Sequence, residues 1–165
     1  EGGLPKDLLK LADESPLFEI RDYPIDIRSY RKLIPAIHDF PDAIIVTIDD
    51  DVKYHKNMLR DLLALHEQYP HALLAHRAKC IKPGRPYREW KKYRWYHFLT
   101  KKIHANFRNI QTGVGGVLYP PHSLKPEMLD VKNARVTFFA GKHMTSSYYA
   151  SVFYFVCVSI FTCEV

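Results

Sequence analysis

Three consecutive aspartates, Asp49, Asp50 and Asp51, directly follow an apolar run, AIIVTI, at residues 43–48. A short, unbroken run rich in β-branched residues is typical of a strand buried on both faces of a sheet. A sheet interior cannot hold three adjacent carboxylates, because each unpaired buried charge is strongly destabilising. We therefore expect the strand to end here and to place the acids at a surface or crevice. In open α/β sheets, ligands bind in the crevice beyond the carboxyl ends of the strands.

The aspartate triplet has two interpretations. Clustered carboxylates are hard oxygen ligands that suit Mg²⁺ or Mn²⁺, and such a metal commonly also holds substrate phosphates. The alternative is a solvated turn that caps the following helix, because Asp is a favourable residue at a helix N-terminus. Three acids exceed what a cap requires, which favours the metal-binding interpretation.

The order of the predicted elements indicates an α/β fold. Strands are predicted at residues 17–21, 43–48, 72–78 and 114–119. Helices are predicted at residues 5–12, 29–40 and 55–69, where apolar side chains recur at helical spacing. Pro35 lies inside the second helix and predicts a kink or an early stop. This alternation predicts a mostly parallel sheet flanked by helices, with right-handed crossovers.

The chain is basic, with 24 Lys and Arg against 18 Asp and Glu and a net charge of +6. Much of the excess lies at residues 82–108, where basic and aromatic side chains alternate. Three functions are open for this stretch: stacking of sugar rings on Trp90 or Trp95, binding of single-stranded nucleic acid, and contact of an amphipathic helix with an anionic membrane. The structural alternative is a helix that packs its aromatic side chains inward.

Cysteine usage and the chain ends bear on localisation. Cys80, Cys157 and Cys163 show neither CxxC spacing nor a disulfide framework, which favours a reducing compartment. We predict a cytoplasmic protein, with the inner face of the membrane as an alternative location.

The start, EGG, lacks a methionine, so we expect the chain to begin inside a longer protein. The end, residues 138–165, includes an uncharged apolar run of roughly 17 residues, at the lower limit for spanning a bilayer.

Three segments follow one another in a specific order. They are IRSYRKLIPAIHDFPDAIIVTIDDDVKY at residues 27–54, LLAHRAK at residues 73–79 and TGVGGVLYPP at residues 112–121. Together they resemble a group of bacterial glycosyltransferases with the nucleotide-diphosphosugar transferase (GT-A) fold, which is Rossmann-like. The resemblance divides the chain into an incomplete GT-A-like domain at residues 1–133 and a divergent apolar tail at residues 134–165.

The resemblance implies a metal-assisted enzyme that moves a sugar from a UDP- or GDP-sugar donor to a glycan or lipid-linked acceptor, in bacterial polysaccharide biosynthesis. Asp49 and Asp51 would bind Mn²⁺ or Mg²⁺ as a DXD-type motif, and Asp49 and Asp50 would lie at the donor. Peripheral membrane contact would suit a lipid-linked acceptor, and no nucleic acid partner is expected.

Further site residues follow from the same resemblance. Arg28 and Lys32 would lie near the donor, against the alternative of a solvated helix face. The acceptor side would be bordered by Gly113, Gly115 and Gly116, whose alternative role is turn geometry alone. For His76 and Arg77, a satisfied core histidine at a strand end is favoured over a substrate role. No catalytic base is assigned.

The chain departs from the family at both ends. Family members begin with a further strand and helix, and they continue beyond the glycine segment to an Asp-Asp motif that precedes Ile-Trp. A reading-frame error near Ala134 would explain the second departure, and the nucleotide sequence read in all frames would test it. Two alternatives to an active enzyme follow: an inactive glycosyltransferase fragment, and a basic nucleic-acid or membrane-surface binding module.

Overall fold

The computed structural model describes residues 4–92, 108–130 and 157–159 and has a mixed α/β architecture. Its helices are α1 (Lys6–Glu14), α2 (Ile34–Asp39), α3 (Met58–Gln68) and a single turn at Pro126–Leu129. Short 3-10 turns occupy Arg28–Lys32, Tyr87–Glu89 and Gly113–Gly115. The strands are β1 (Ile45–Thr47), β2 (Leu73–Ala75), β3 (Ala78–Cys80), β4 (Lys91–Lys92), β5 (Asn109–Gln111), β6 (Val117–Tyr119) and β7 (Cys157–Ser159).

The larger sheet is mixed and has the strand order β1-β6-β2-β7. Strand β6 is antiparallel to both of its neighbours, and β7 is parallel to β2. Strands β1, β2 and β7 therefore run in one direction, and only β6 opposes them. Only the β2–β7 pairing is parallel, so the α/β class is confirmed but the described sheets are mostly antiparallel, unlike the predicted mostly parallel sheet; β6 includes the end of the predicted 114–119 strand and runs against both of its neighbours.

The smaller sheet is antiparallel and has the strand order β4-β3-β5. Strand β3 follows β2 after a bend at His76 and Arg77, so the chain passes directly from the larger sheet to the smaller one. The predicted strand at residues 72–78 is thus two strands in two sheets. The bend is held by the backbone N–H of Thr112, which donates to the carbonyl oxygen of Arg77 at 2.9 Å.

The core lies on both faces of the larger sheet, because neighbouring residues of β2 and β6 point to opposite sides. On one face Leu62 of α3 packs with Leu74 and Leu118. On the other face Leu73 and Val117 pack with Leu33, which precedes α2. The connection β1–α3–β2 thus covers one face with the apolar stripe that the sequence predicted for residues 55–69.

Strand β1 is less buried than its composition predicts. Ile45 and Val46 are only half-buried, and Ile48 is 53 % exposed. The reason is position: among the described residues β1 pairs with β6 alone, so it is an edge strand. The prediction that residues 43–48 form a strand buried on both faces is therefore wrong for β1; the strands with every residue buried are β2 and β6.

Two other predictions differ in detail. Residues 17–21 are not a strand, and Leu17 is almost fully exposed. The predicted helix at residues 29–40 is divided into the 3-10 turn Arg28–Lys32 and α2, which has Pro35 in its first turn. Proline lacks the N–H that a continuous helix needs at this point but is tolerated in the first turn of a new one.

The tail and the basic stretch lie largely outside the described residues. Residues 93–107 of the basic stretch are not described, and neither are residues 131–156 and 160–165. The proposed boundary at residue 133 and most of the apolar run therefore lie outside the described residues. Within the tail, only β7 is described, and it pairs with β2. None of the described helices is long and apolar enough to cross a membrane.

Candidate functional site

A cavity of about 430 Å³ lies beside the end of β1. Its walls come from separate parts of the chain: the turn Arg28–Lys32 with the residues that follow it, the end of β1, Tyr87, and the segment after β3 that includes β5 and Gly113. Thr47 and Asp49 both line it, so the strand does deliver an acid to a crevice. The cavity is large enough for part of a nucleotide or a sugar.

Asp49 is held in place by two neighbours. Its Oδ1 accepts a hydrogen bond from the ammonium group of Lys32, and its backbone N–H donates to the hydroxyl oxygen of Tyr54 at 2.8 Å. The side chains of Lys32 and Asp49 are 33 % and 24 % exposed. The pair is therefore partly withdrawn from water, where charge-assisted hydrogen bonds are stronger than at an open surface.

The other two aspartates have a different setting. Asp50 and Asp51 are exposed at the turn after Asp49, and neither lines the cavity. No group of three His, Cys, Asp or Glu side chains in the described part of the chain could hold a metal ion. The triplet therefore divides into one cavity residue and two surface residues, rather than acting as a single cluster.

A hard divalent cation would meet one carboxylate, that of Asp49, among the described residues that line the cavity. The Asp49 carboxylate already has a cationic partner, the Lys32 ammonium, at the edge of the cavity. Carboxylate oxygens are the ligands that Mg²⁺ and Mn²⁺ prefer. Asp49 and Asp51, two residues apart in one turn, remain the residues that would hold such an ion.

Arg28 lies away from the cavity lining. Its backbone N–H donates to Asp26 Oδ1 at 3.0 Å, and its Nε lies 3.6 Å from Asp26 Oδ2. Arg28 also has a φ of 54°, which is uncommon for a residue other than glycine. Of the two basic residues predicted near the donor, Lys32 is at the cavity and Arg28 is beside Asp26.

The three glycines of this segment differ in their surroundings and in the reason for having no side chain. Gly113 lines the cavity, and a Cβ there would lie 3.7 Å from Lys32 Nζ. A Cβ at Gly115 would lie 2.7 Å from Arg77 Cβ, so the two backbones approach too closely for a side chain. Gly116 has a φ of 82°, which favours glycine. Turn geometry and close packing account for Gly115 and Gly116, while Gly113 faces the cavity.

His76 has a structural partner. Its Nε2 lies 3.1 Å from the carbonyl oxygen of Met58, which accepts the ring proton. His76 is thus hydrogen-bonded just after the end of β2, as predicted, but it is half-buried rather than part of the core. The contact also joins the start of α3 to the bend between β2 and β3.

Trp90 belongs to the core and cannot stack on a sugar ring. It is 3 % exposed, packs with Ile81 and Ile110, and donates from Nε1 to the carbonyl oxygen of Arg85 at 2.9 Å. The sugar-stacking interpretation is therefore wrong for Trp90. Trp95 and residues 93–107 lie outside the described residues.

Tyr87 is a cavity residue that sequence reasoning did not single out, and the buried Lys79 contacts it from outside the cavity lining. Tyr87 lines the cavity, and the Lys79 ammonium lies 3.5 Å from the centre of its ring and 3.3 Å from its carbonyl oxygen. Lys79 is 8 % exposed, and burial together with the nearby charge of Arg77 lowers its pKa. The aromatic content of residues 82–108 was a signal for Tyr87, whereas nothing local in the sequence marks Lys79 as buried.

Replacing Lys79 with methionine is expected to raise the free energy of unfolding, by up to about 1 kcal/mol. Methionine keeps an apolar stem and removes an ammonium group that burial disfavours. Because the folded-state pKa is lowered, the unfolded chain binds the proton more strongly between that pKa and the usual value. Wild-type stability should therefore rise with pH across this interval, and the variant should lose this dependence.

Urea unfolding at neutral and alkaline pH measures both effects. Lys79→Ala is the matched control, since it also removes the charge but loses the packing of the stem, at a cost of roughly 2 kcal/mol. Destabilisation of Lys79→Met by as much as Lys79→Ala would contradict the prediction.

Comparison with known proteins gives no relatives: no family model, curated protein or solved structure matches this chain.

Proposed function

We propose that this chain is a glycosyltransferase of the GT-A type, which moves a sugar from a nucleotide-sugar donor to a glycan or lipid-linked acceptor with the help of Mn²⁺ or Mg²⁺. The observation that supports it most is the pairing of Lys32 with Asp49 at a cavity beside the end of a strand. A carboxylate for a cation and an ammonium for a phosphate then lie side by side. The common direction of β1, β2 and β7 is compatible with an α/β fold.

The chemistry of glycosyl transfer needs these charges. The bond from the anomeric carbon to the diphosphate breaks, the sugar takes on oxocarbenium character, and the leaving diphosphate gains negative charge. A divalent ion held by Asp49 and Asp51 would supply Lewis-acid stabilisation of that charge. Lys32 would donate charge-assisted hydrogen bonds to the phosphate oxygens.

The acceptor side needs a base that takes the proton from the attacking hydroxyl group. Among the described residues that line the cavity, Asp49 is the one carboxylate, and in the proposed site it is a metal ligand. We therefore assign no catalytic base. Gly113 borders the cavity next to Lys32, where the lack of a side chain leaves room for a substrate.

Calorimetric titration tests the proposed site. We expect Mn²⁺ to strengthen binding of UDP or GDP, and Asp51→Ala to reduce the Mn²⁺-dependent affinity at least about tenfold, because a second carboxylate ligand is lost. Asp13→Ala removes an exposed carboxylate from α1 and is the matched charge control. Equal heats for the wild type and Asp51→Ala would refute a metal role for Asp51.

A further inference from the structure

Lys79 carries a buried charge that the proposed reaction does not use. It is 8 % exposed, and within the described part of the chain both contacts of its ammonium are with Tyr87. The ammonium lies 3.5 Å from the centre of the ring, which places it over a face rather than at the edge, and it donates to the Tyr87 carbonyl oxygen at 3.3 Å. Burial of an ammonium disfavours folding, and contact with a ring recovers only part of that cost. What the contact achieves is to fix the ring of Tyr87.

Tyr87 is held in place although it lies on a surface turn. Its ring packs edge-to-face with Trp90, with the ring centres 5.3 Å apart and the planes at 67°, and Trp90 is 3 % exposed. The backbone N–H of Trp90 donates to the carbonyl oxygen of Tyr87 at 3.2 Å. Tyr87 itself is 43 % exposed and lines the cavity. A fixed, partly exposed aromatic ring in a cavity wall is a surface on which a flat ligand can stack.

The charge of Lys79 affects what can stack there. The face of an aromatic ring is negative, so the faces of two stacked rings repel each other. Lys79 contacts Tyr87 from outside the cavity lining, and a positive charge behind the ring reduces this repulsion. The same charge weakens contact with a cation or with the C–H groups of a sugar, both of which need a negative face. The wall therefore suits a nucleobase better than a sugar ring.

We infer that the base of a nucleotide stacks on Tyr87, and that Lys79 is a positioning residue that holds this ring and favours the stacking. The inference rests on the proposed function and adds recognition of the base, which requires no metal ion. Two other residues of the same cavity fit a nucleotide. Gln111 has an amide with both a donor and an acceptor, as the edge of a base requires, and Lys32 offers an ammonium to the phosphate.

Binding of UMP and GMP in the presence of a metal chelator tests the stacking. In the wild type, saturation-transfer NMR should show stronger transfer to the base protons than to the ribose protons. Tyr87→Leu should bind the tighter of the two nucleotides at least about fivefold more weakly, the lower end of what stacking of a base on an aromatic ring contributes. Ribose 5-phosphate, which has no base, should bind equally to both proteins. Tyr87→Phe keeps the ring and should bind the nucleotide as the wild type does.

Lys79→Met tests the positioning role. The variant is expected to be more stable than the wild type, so a loss of binding cannot come from a loss of fold. It should bind the same nucleotide about threefold more weakly, because the ring loses the cation and the hydrogen bond that hold it. Lys82→Met removes an exposed lysine nearby and should change the affinity less than about twofold, because solvent screens its charge. A lysine with only a structural role would not give higher stability together with weaker binding.

The outcomes separate the inference from the proposed function. Equal nucleotide affinity of Tyr87→Leu and the wild type would refute stacking on Tyr87. Base protons saturated no more than ribose protons would refute it in the wild type itself, even if Tyr87→Leu failed to fold. Unchanged binding by Lys79→Met would refute the role of Lys79. Binding of UDP or GDP with Mn²⁺ but of neither monophosphate without metal would refute the inference alone, whereas binding of no nucleotide under either condition would refute the proposed function as well.

Discussion

Replacing Asp49 with asparagine is expected to lower the rate of sugar transfer at least about 100-fold, the scale of losing one charged or hydrogen-bonding group that stabilises the transition state. Asparagine keeps the shape of the side chain, and its amide oxygen can still accept the hydrogen bond from Lys32. It lacks the negative charge, so it is a poor ligand for a divalent cation. Release of UDP or GDP from nucleotide-sugars in the presence of Mn²⁺ measures the effect.

Asp49 alone of the triplet lines the cavity, so its substitution should affect the reaction most directly. Asp13→Asn makes the same change of charge at an exposed position of α1 and should leave the rate as it is. Thermal unfolding of both variants separates a loss of chemistry from a loss of fold. A rate for Asp49→Asn within a few-fold of the wild type, with the fold intact, would contradict the proposed role of this carboxylate.

The sequence predicted the local elements of the fold better than their arrangement. The apolar stripe at residues 55–69 corresponds to α3, and the β-branched run before the aspartates contains β1. Both signals depend on neighbouring side chains that share one element. The antiparallel position of β6 between β1 and β2 depends on contacts between distant parts of the chain, which periodicity does not report.

The same distinction applies to the candidate site. The local sequence was enough to predict an acid at the end of a strand, and Asp49 does line a cavity there. The contact between Lys32 and Asp49 joins two residues of the same segment, 17 positions apart, that the resemblance places near the donor. The contact of the buried Lys79 ammonium with Tyr87 could not be predicted, because it depends on how β3 packs against the turn Tyr87–Glu89. The bond from the Asp49 N–H to the Tyr54 hydroxyl is local in sequence, but no residue pattern marks it.

Replacing Gly115 with alanine is expected to lower the free energy of unfolding by about 1–3 kcal/mol, the usual cost of overpacking a close contact. The new Cβ would lie 2.7 Å from Arg77 Cβ and 3.0 Å from the Arg77 backbone nitrogen. The backbone cannot easily retreat, because the Thr112 N–H donates to the Arg77 carbonyl oxygen and holds the two segments together. Urea unfolding followed by circular dichroism measures the loss.

Gly113→Ala provides the matched control within the same glycine segment. Its Cβ would meet only Lys32 Nζ, at the ordinary contact distance of 3.7 Å, and its φ is not in the left-handed region. Reduced freedom of the unfolded chain should make this variant neutral or more stable by up to about 1 kcal/mol. Equal stability of the two variants would mean that the bend at Arg77 can move away from Gly115. In that case, close packing against Arg77 would not be the reason for a glycine at position 115.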